Sequence, residues 1–473
     1  MKKILLTIVI TGIIFFSACE PDQPVAPQLN VTLNKLATSK IVAIGNSLTA
    51  GFQSSGLVED FQFNSYPYLL AMQMGKTEFE QPLIGAPGIG SPAGMTPMYL
   101  DDEGNITQDA LEVNPLFLLK NALLSRPYDN LAVPGADLND LLNTIDGSGG
   151  NPFFDIVLRN PNLGNTTLLK QAAMLQPTMI LLWAGSNDVL GAALDGGDLD
   201  QITSQADFAS RMESVIAQLR SDLPNSVIIT ANIPYVTDIP YVNILDGVFL
   251  GGLPMVFDET LQPVDFGNGT YLPLITTETN VTHITLVGLL AYQQGLGIPN
   301  AAYMVDNLGI GQGQAAQIEA GMIAAGLIPT GLPLDETMTL TSTETSTIID
   351  AVDGFNQTIA GLATTYQVPV VNANALLSEI NENGIDGASG KFVLVDPATT
   401  AFSLDGVHPN NAGNAIIANA FIGMMNTILQ VDPAIPEVNV AEKLGQYIPV
   451  QPKMHLSKAI NNVRKLFSRK NNR

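Results

Sequence analysis

The sequence predicts an α/β fold in which a mostly parallel sheet is covered on both faces by helices. Short runs rich in Val, Ile and Leu occur at 40–45, 130–133, 178–184, 226–231 and 368–372, and they are nearly continuous apolar stretches instead of alternating ones. A strand that needs no polar side is buried on both faces, the mark of a sheet sandwiched between helical layers. Helical patterns lie at 208–219, 347–364 and 412–429, with apolar residues recurring every three or four positions. Such alternation of strand and helix is what parallel pairing requires, because a parallel neighbour is reached by a crossover.

Taken in order, the first run, Ile41-Val42-Ala43-Ile44, passes directly into Gly45-Asn46-Ser47-Leu48-Thr49-Ala50-Gly51. The second ends in Val133-Pro134-Gly135-Ala136 and the third in Trp183-Ala184-Gly185-Ser186-Asn187-Asp188. The patterns at 208–219 and 347–364 lead into the fourth and fifth runs. The last helical pattern follows Ser403-Leu404-Asp405-Gly406-Val407-His408-Pro409-Asn410. Ligands of open parallel sheets bind beyond the carboxyl ends of the strands, so chemistry is expected in these loops. Two stretches break the rhythm, 85–124 and 235–343, both with much Gly and Pro among apolar residues. They are expected to be insertions covering the functional edge, since connections beyond about 12–15 residues are usually functional or disordered. The glycine runs at 85–90 and 309–313 lack the strand, spacing and lysine of a phosphate loop and read as turns.

Composition excludes several functions. The 473 residues include 44 Asp and Glu against 20 Lys and Arg, a net charge of −24. Nucleic acid is not an expected partner, because phosphate binding relies on clustered basic residues. One cysteine excludes an internal disulfide, three histidines argue against a multi-histidine metal centre, and no metal or cofactor is expected.

The two ends differ from the body. Lys2 and Lys3 precede an apolar stretch at 4–16 and then Ser17-Ala18-Cys19, the layout of a secretory signal spanning 1–18 and too short to cross a bilayer. The small residues before Cys19 resemble a bacterial lipobox, with Phe16 where an aliphatic residue is usual. This resemblance implies a lipidated Cys19, a membrane held through that lipid anchor and, with Glu20 following, the outer membrane of an exported lipoprotein. A plain secretory signal with an incidental cysteine is the other reading. Residues 19–39, with Pro21, Pro24 and Pro27, read as a stiff tether, 40–430 as the main domain and 431–473 as an extension. Its last part, 453–473, carries seven Lys or Arg and no acid, with Leu456, Ile460, Val463 and Phe467 at helical spacing. It reads either as a basic amphipathic helix or as a solvated tail.

The loops hold a chemical constellation. A serine directly after a buried strand, as at Ser47, can be presented at the sheet edge, but its hydroxyl is a poor nucleophile without a base. Asp405 and His408, three residues apart in one turn, could supply the base and the acid that fixes its tautomer. His283 lies in an insertion and His455 in the tail, leaving His408 as the candidate. The Asn187 amide and the Gly135 backbone N–H, each after a strand, could stabilise an oxyanion.

Gly45-Asn46-Ser47-Leu48, Gly135, Gly185-Ser186-Asn187-Asp188 and Asp405-Gly406-Val407-His408 resemble, in order, the signature blocks of the SGNH (GDSL-type) hydrolases. The resemblance implies a flavodoxin-like three-layer α/β/α fold without a metal. Ser47 would be the nucleophile, His408 the base and Asp405 its partner, with Ser47 N–H, Gly135 and Asn187 as the oxyanion hole. Asn46 departs from the family's usual Asp, and the distance between the last two blocks is long for the family. The implied activity is that of a serine ester hydrolase, an esterase or lipase, acting through an acyl-enzyme. Methionines of the insertions, Met95, Met98, Met304, Met322 and Met338, suggest a pliable apolar wall and hence a lipid or fatty-acyl ester. O-acetyl removal from a polysaccharide, and a non-catalytic surface lipoprotein binding glycan or lipid, are the alternatives.

Overall fold

The computed structural model describes residues 36–446 except 93 and 103. Cys19, the signal and the basic tail at 453–473 lie outside the described residues. Four strands form the central sheet: β1 (Ile41–Gly45), β2 (Met179–Trp183), β3 (Val227–Ala231) and β4 (Val370–Val371), ordered β1-β2-β3-β4 and parallel throughout. The predicted run at 130–133 does not form a full strand. It lies along the free edge of β1 through a parallel bridge between Ala43 and Asn130, with Leu131 N donating to Ala43 O at 2.9 Å and Val133 N to Gly45 O at 3.1 Å. Counted with that segment, the second run in sequence flanks the first, and the order reverses at β1, the switch point where such sheets bind ligands.

Seven helices matter here: α1 (Ser47–Ala50), α2 (Tyr66–Gln73), α3 (Leu168–Leu175), α4 (Gln205–Asp222), α5 (Ser342–Tyr366), α6 (Ala373–Glu382) and α7 (Asn411–Leu429). Helices α3, α4 and α5 pack together on one side of the sheet, with the Phe208 and Phe355 rings stacked at 3.8 Å. On the other side α2 packs on α7, where Phe421 stacks on Tyr66 at 4.8 Å and Trp183 meets Tyr66 edge-on at 5.8 Å. The strands are buried along nearly their whole length, as their apolar continuity requires.

The irregular stretches are ordered by short antiparallel pairs. Within 85–124, Tyr99–Leu100 pairs with Ile106–Thr107, and Ile89–Gly90 pairs back onto Gly56–Leu57. Within 235–343, Val281–Ile284 pairs with Thr339–Thr341, and helices Leu286–Gln293, Ala301–Leu308 and Gln312–Ala324 lie between.

Candidate active site

The site begins with the way β1 ends. A side chain on Gly45 would collide with the Trp183 carbonyl oxygen and with Thr49 Oγ1, so glycine lets the chain turn tightly against β2. Asn46 caps α1, its Oδ1 accepting from Leu48 N at 3.1 Å, and places Ser47 at the first helical position. The family's usual Asp would cap equally well, so the neutral Asn keeps the turn. Asn130 fixes this turn from the neighbouring segment, donating to Thr49 O at 2.9 Å and to Gln81 Oε1 at 3.1 Å.

The loop after β2 is built around a buried carboxylate. Gly185 has φ of +107°, and the chain then forms a tight turn at Ser186–Asp188. Asp188 accepts from Leu138 N at 3.1 Å and Thr203 Oγ1 at 2.8 Å, which pins the turn and aims its neighbour Asn187. Asn187 Nδ2 donates to Ala136 O at 2.8 Å. This bond draws the Pro134-Gly135-Ala136 turn, with Gly135 at φ of +81°, up to the β2 loop.

The third part comes from the turn before α7. His408 Nδ1 is 2.8 Å from Asp405 Oδ2, and both residues are buried. Asp405 Oδ1 accepts from the backbone N–H of Val407 and of His408, each at 2.9 Å, and from Ser403 Oγ at 3.0 Å. Asp405 Oδ2 also accepts from Ser55 N at 2.7 Å. Burial pushes the Asp405 carboxyl up, but the facing His408 and the hydrogen bonds outweigh it and hold the group below its ordinary value. The edge of Phe52 packs against the His408 ring, with centroids 4.9 Å apart.

Ser47, Asn187 and His408 line one cavity of about 100 Å³, with Asp405 behind His408. Gly135 is not among its lining residues and reaches the site through Ala136 and Asn187. The cavity walls correct two sequence expectations. None of the described residues of 85–124 lines it, and 235–343 contributes only Tyr235, Val236 and Ile239. None of the five methionines lines it; Met98, Met304 and Met322 are core residues. The apolar wall is instead built from Leu376, Leu377 and Ile380 of α6, with Phe402, Val407 and Ile417. Sequence reading passed over α6 because its stripe looks like that of any core helix, and over Ser55 and Ser403, which lie outside the strand-end blocks. The one available signal was the position of Ser403, two residues before Asp405.

Residues 41–260 match the family model described as GDSL-like Lipase/Acylhydrolase. That span holds Ser47, Gly135 and Asn187, while Asp405 and His408 lie beyond it and are placed by the geometry. No curated protein matches the chain. Among solved structures, an acetyl-xylooligosaccharide esterase variant from Geobacillus Stearmophilus is similar at 10% identity and a TM-score of 0.34, covering 83% of this chain and 96% of its own. An α/β hydrolase from the metagenome of Lake Arreo, Spain, shares 12% identity at a TM-score of 0.33 over 83% of this chain and 98% of its own. An extracellular lipase from Streptomyces rimosus shares 10% identity at a TM-score of 0.30 over 82% and 98%. Residues 41–260, just under half of the chain, thus form a GDSL-like lipase/acylhydrolase domain, and with it the chain is a carboxylic ester hydrolase.

Proposed function

We propose that the chain hydrolyses esters of apolar acyl chains through an acyl-enzyme. His408 takes the Ser47 proton, Ser47 Oγ attacks the ester carbonyl, and the oxyanion is held by Ser47 N–H, Gly135 N–H and Asn187. Asp405 keeps His408 in the tautomer that accepts at Nε2 and stabilises the imidazolium that forms. The protonated His408 then gives its proton to the departing alkoxide. Water attacks the acyl-enzyme by the same route, with His408 again as base, and Ser47 is regenerated.

The carrying observation is the chemistry of the cavity, whose lining combines polar Ser47, Asn187 and His408 with apolar Leu376, Leu377, Ile380, Phe402 and Ile417. At about 100 Å³ it is smaller than whole-ligand sites of roughly 300–1,000 Å³, so it suits one apolar arm of the substrate, the acyl chain. Burying each methylene is worth about 0.8 kcal/mol, or about fourfold in kcat/KM. A p-nitrophenyl ester series from acetyl through butyryl and hexanoyl should therefore show rising kcat/KM before the cavity is full, with Ser47→Ala inactive throughout. Activity confined to the acetyl ester would contradict the acyl-chain proposal.

Export and anchoring belong to the same proposal. The Ser17-Ala18-Cys19 sequence supports a lipid-modified amino terminus at the outer membrane. The full chain expressed in a Gram-negative host should sediment with membranes, and Cys19→Ser should shift it to the soluble fraction. Unchanged membrane association of the variant would exclude the anchor.

A further inference from the structure

The nucleophile and the base come from distant parts of the chain, and a hydrogen-bonded clamp joins their turns. Four residues beyond the end of α1 the chain passes through Ser54 and Ser55, with φ of +51° and +57°. The left-handed region is costly for a residue with a Cβ, and two such residues in succession persist only where their surroundings hold them. The base loop holds them on one side, and on the other Met98 N donates to Ser54 O at 2.7 Å and Ser91 N to Ser55 O at 2.8 Å. Ser54 N donates to Ser403 Oγ at 2.8 Å, Ser403 Oγ donates to Asp405 Oδ1 at 3.0 Å, and Ser55 N donates to Asp405 Oδ2 at 2.7 Å. Ser403 also closes its own loop, its N–H donating to His408 O at 2.8 Å and its carbonyl accepting from Gly406 N at 3.1 Å. Ser54, Ser55 and Ser403 are all buried.

We propose that Ser403 is a positioning residue for catalysis: its hydroxyl, relaying between the left-handed Ser54–Ser55 turn and Asp405, sets where His408 stands relative to Ser47. The hydroxyl accepts one hydrogen bond from Ser54 N–H and donates one to the carboxylate, so it fits between these partners in one orientation. Asp405 is thereby gripped on both oxygens by groups rooted beside Ser47, and its grip on His408 Nδ1 transmits that position to the base. Removing the hydroxyl takes the acceptor from Ser54 N and one donor from Asp405 Oδ1, so the carboxylate can rotate, while the apolar cavity, which Ser403 does not line, is left intact.

The inference rests on the Ser47–His408–Asp405 assignment, and its test separates the two. With p-nitrophenyl butyrate, Ser403→Ala should lower kcat roughly tenfold, the scale of a lost hydrogen bond to a charged group, with KM within about twofold. Ser403→Thr, which keeps the hydroxyl, should restore most of kcat. Ser226→Ala is the control: it removes a buried bond of 2.6 Å to Pro177 O at the amino end of β3, away from the site, and should lower the melting temperature without lowering kcat. Ser403→Cys, close in volume and a weaker donor, serves if the Ala variant does not fold, and its kcat should fall below wild type. Wild-type kcat in Ser403→Ala or Ser403→Cys, or an equal kcat loss in Ser226→Ala, overturns the positioning role. Persisting activity in Ser47→Ala would instead overturn the triad.

Discussion

Asp405 is a carboxylate out of contact with water that accepts hydrogen bonds from Ser55 N, Ser403 Oγ, Val407 N, His408 N and His408 Nδ1. Removing an ion from water is costly unless such partners replace the lost hydration. Here burial raises the carboxyl pKa, and His408 with the surrounding donors lowers it further than burial raises it. Because the folded pKa lies below the unfolded one, the group contributes stability that is fully present above pH 3.8 and is lost as pH falls through the folded value. Asp405→Asn should remove that acid limb, read as denaturation midpoints compared between about pH 5 and about pH 2.5. The same variant should lower kcat roughly 10⁴-fold, because an amide no longer fixes the productive tautomer. Asp405 and His408 were legible in the sequence because three-residue spacing in a turn leaves few other uses for the pair. Ser55 was not, because its contribution is a backbone N–H and its left-handed conformation is held by the distant residues Ser91 and Asp405.

The helix pair α2 and α7 supports the Ser47 side of the sheet. Phe421 stacks on Tyr66, whose hydroxyl lies 3.2 Å from Thr49 Oγ1 in α1, and Tyr66 in turn meets the Trp183 ring that lines the cavity. Burial in this stack pushes the Tyr66 hydroxyl well above its ordinary pKa, so it remains a neutral donor or acceptor. Phe421→Ala should cost about 3–5 kcal/mol, seen as a lowered urea midpoint with an unchanged slope. A midpoint within error of wild type would mean that the stack carries no such load. The elements themselves were readable where period and length agreed: α4, α5 and α7 extend the predicted patterns by a few residues at most on either side, and β1, β2 and β3 lie within the predicted runs. The run at 130–133 was apolar enough for a strand but lies at the sheet edge, where Pro134 and Gly135 end the pairing early. The wall formed by α6 was illegible because which side of an amphipathic helix faces a cavity is decided by the packing of the whole fold.

At the scale of the molecule, the topology makes the site. The reversal of strand order at β1 opens the sheet's carboxyl edge there, and the turn preceding α7 returns from the far end of the chain to fill it. The family match ends at residue 260, so the chain beyond it supplies the proposed base His408, its proposed acid partner Asp405 and most of the apolar wall. Five residues pointed to the class of chemistry but not to the shape of the acyl site, since the insertions expected to cover it pack behind the turns of Ser54–Ser55 and Gly406 and contribute little to the cavity wall. The net charge of −24 is likewise uninformative about substrate, because the cavity is lined by neutral groups and His408. The central claim is that Ser47 is a nucleophile activated by His408. A fluorophosphonate probe, followed by peptide mapping of the purified protein, tests it directly. A single adduct on Ser47, abolished in His408→Ala with the fold retained, is the predicted result; an esterase-active protein that stays unlabelled, or carries the adduct on another residue, would contradict it.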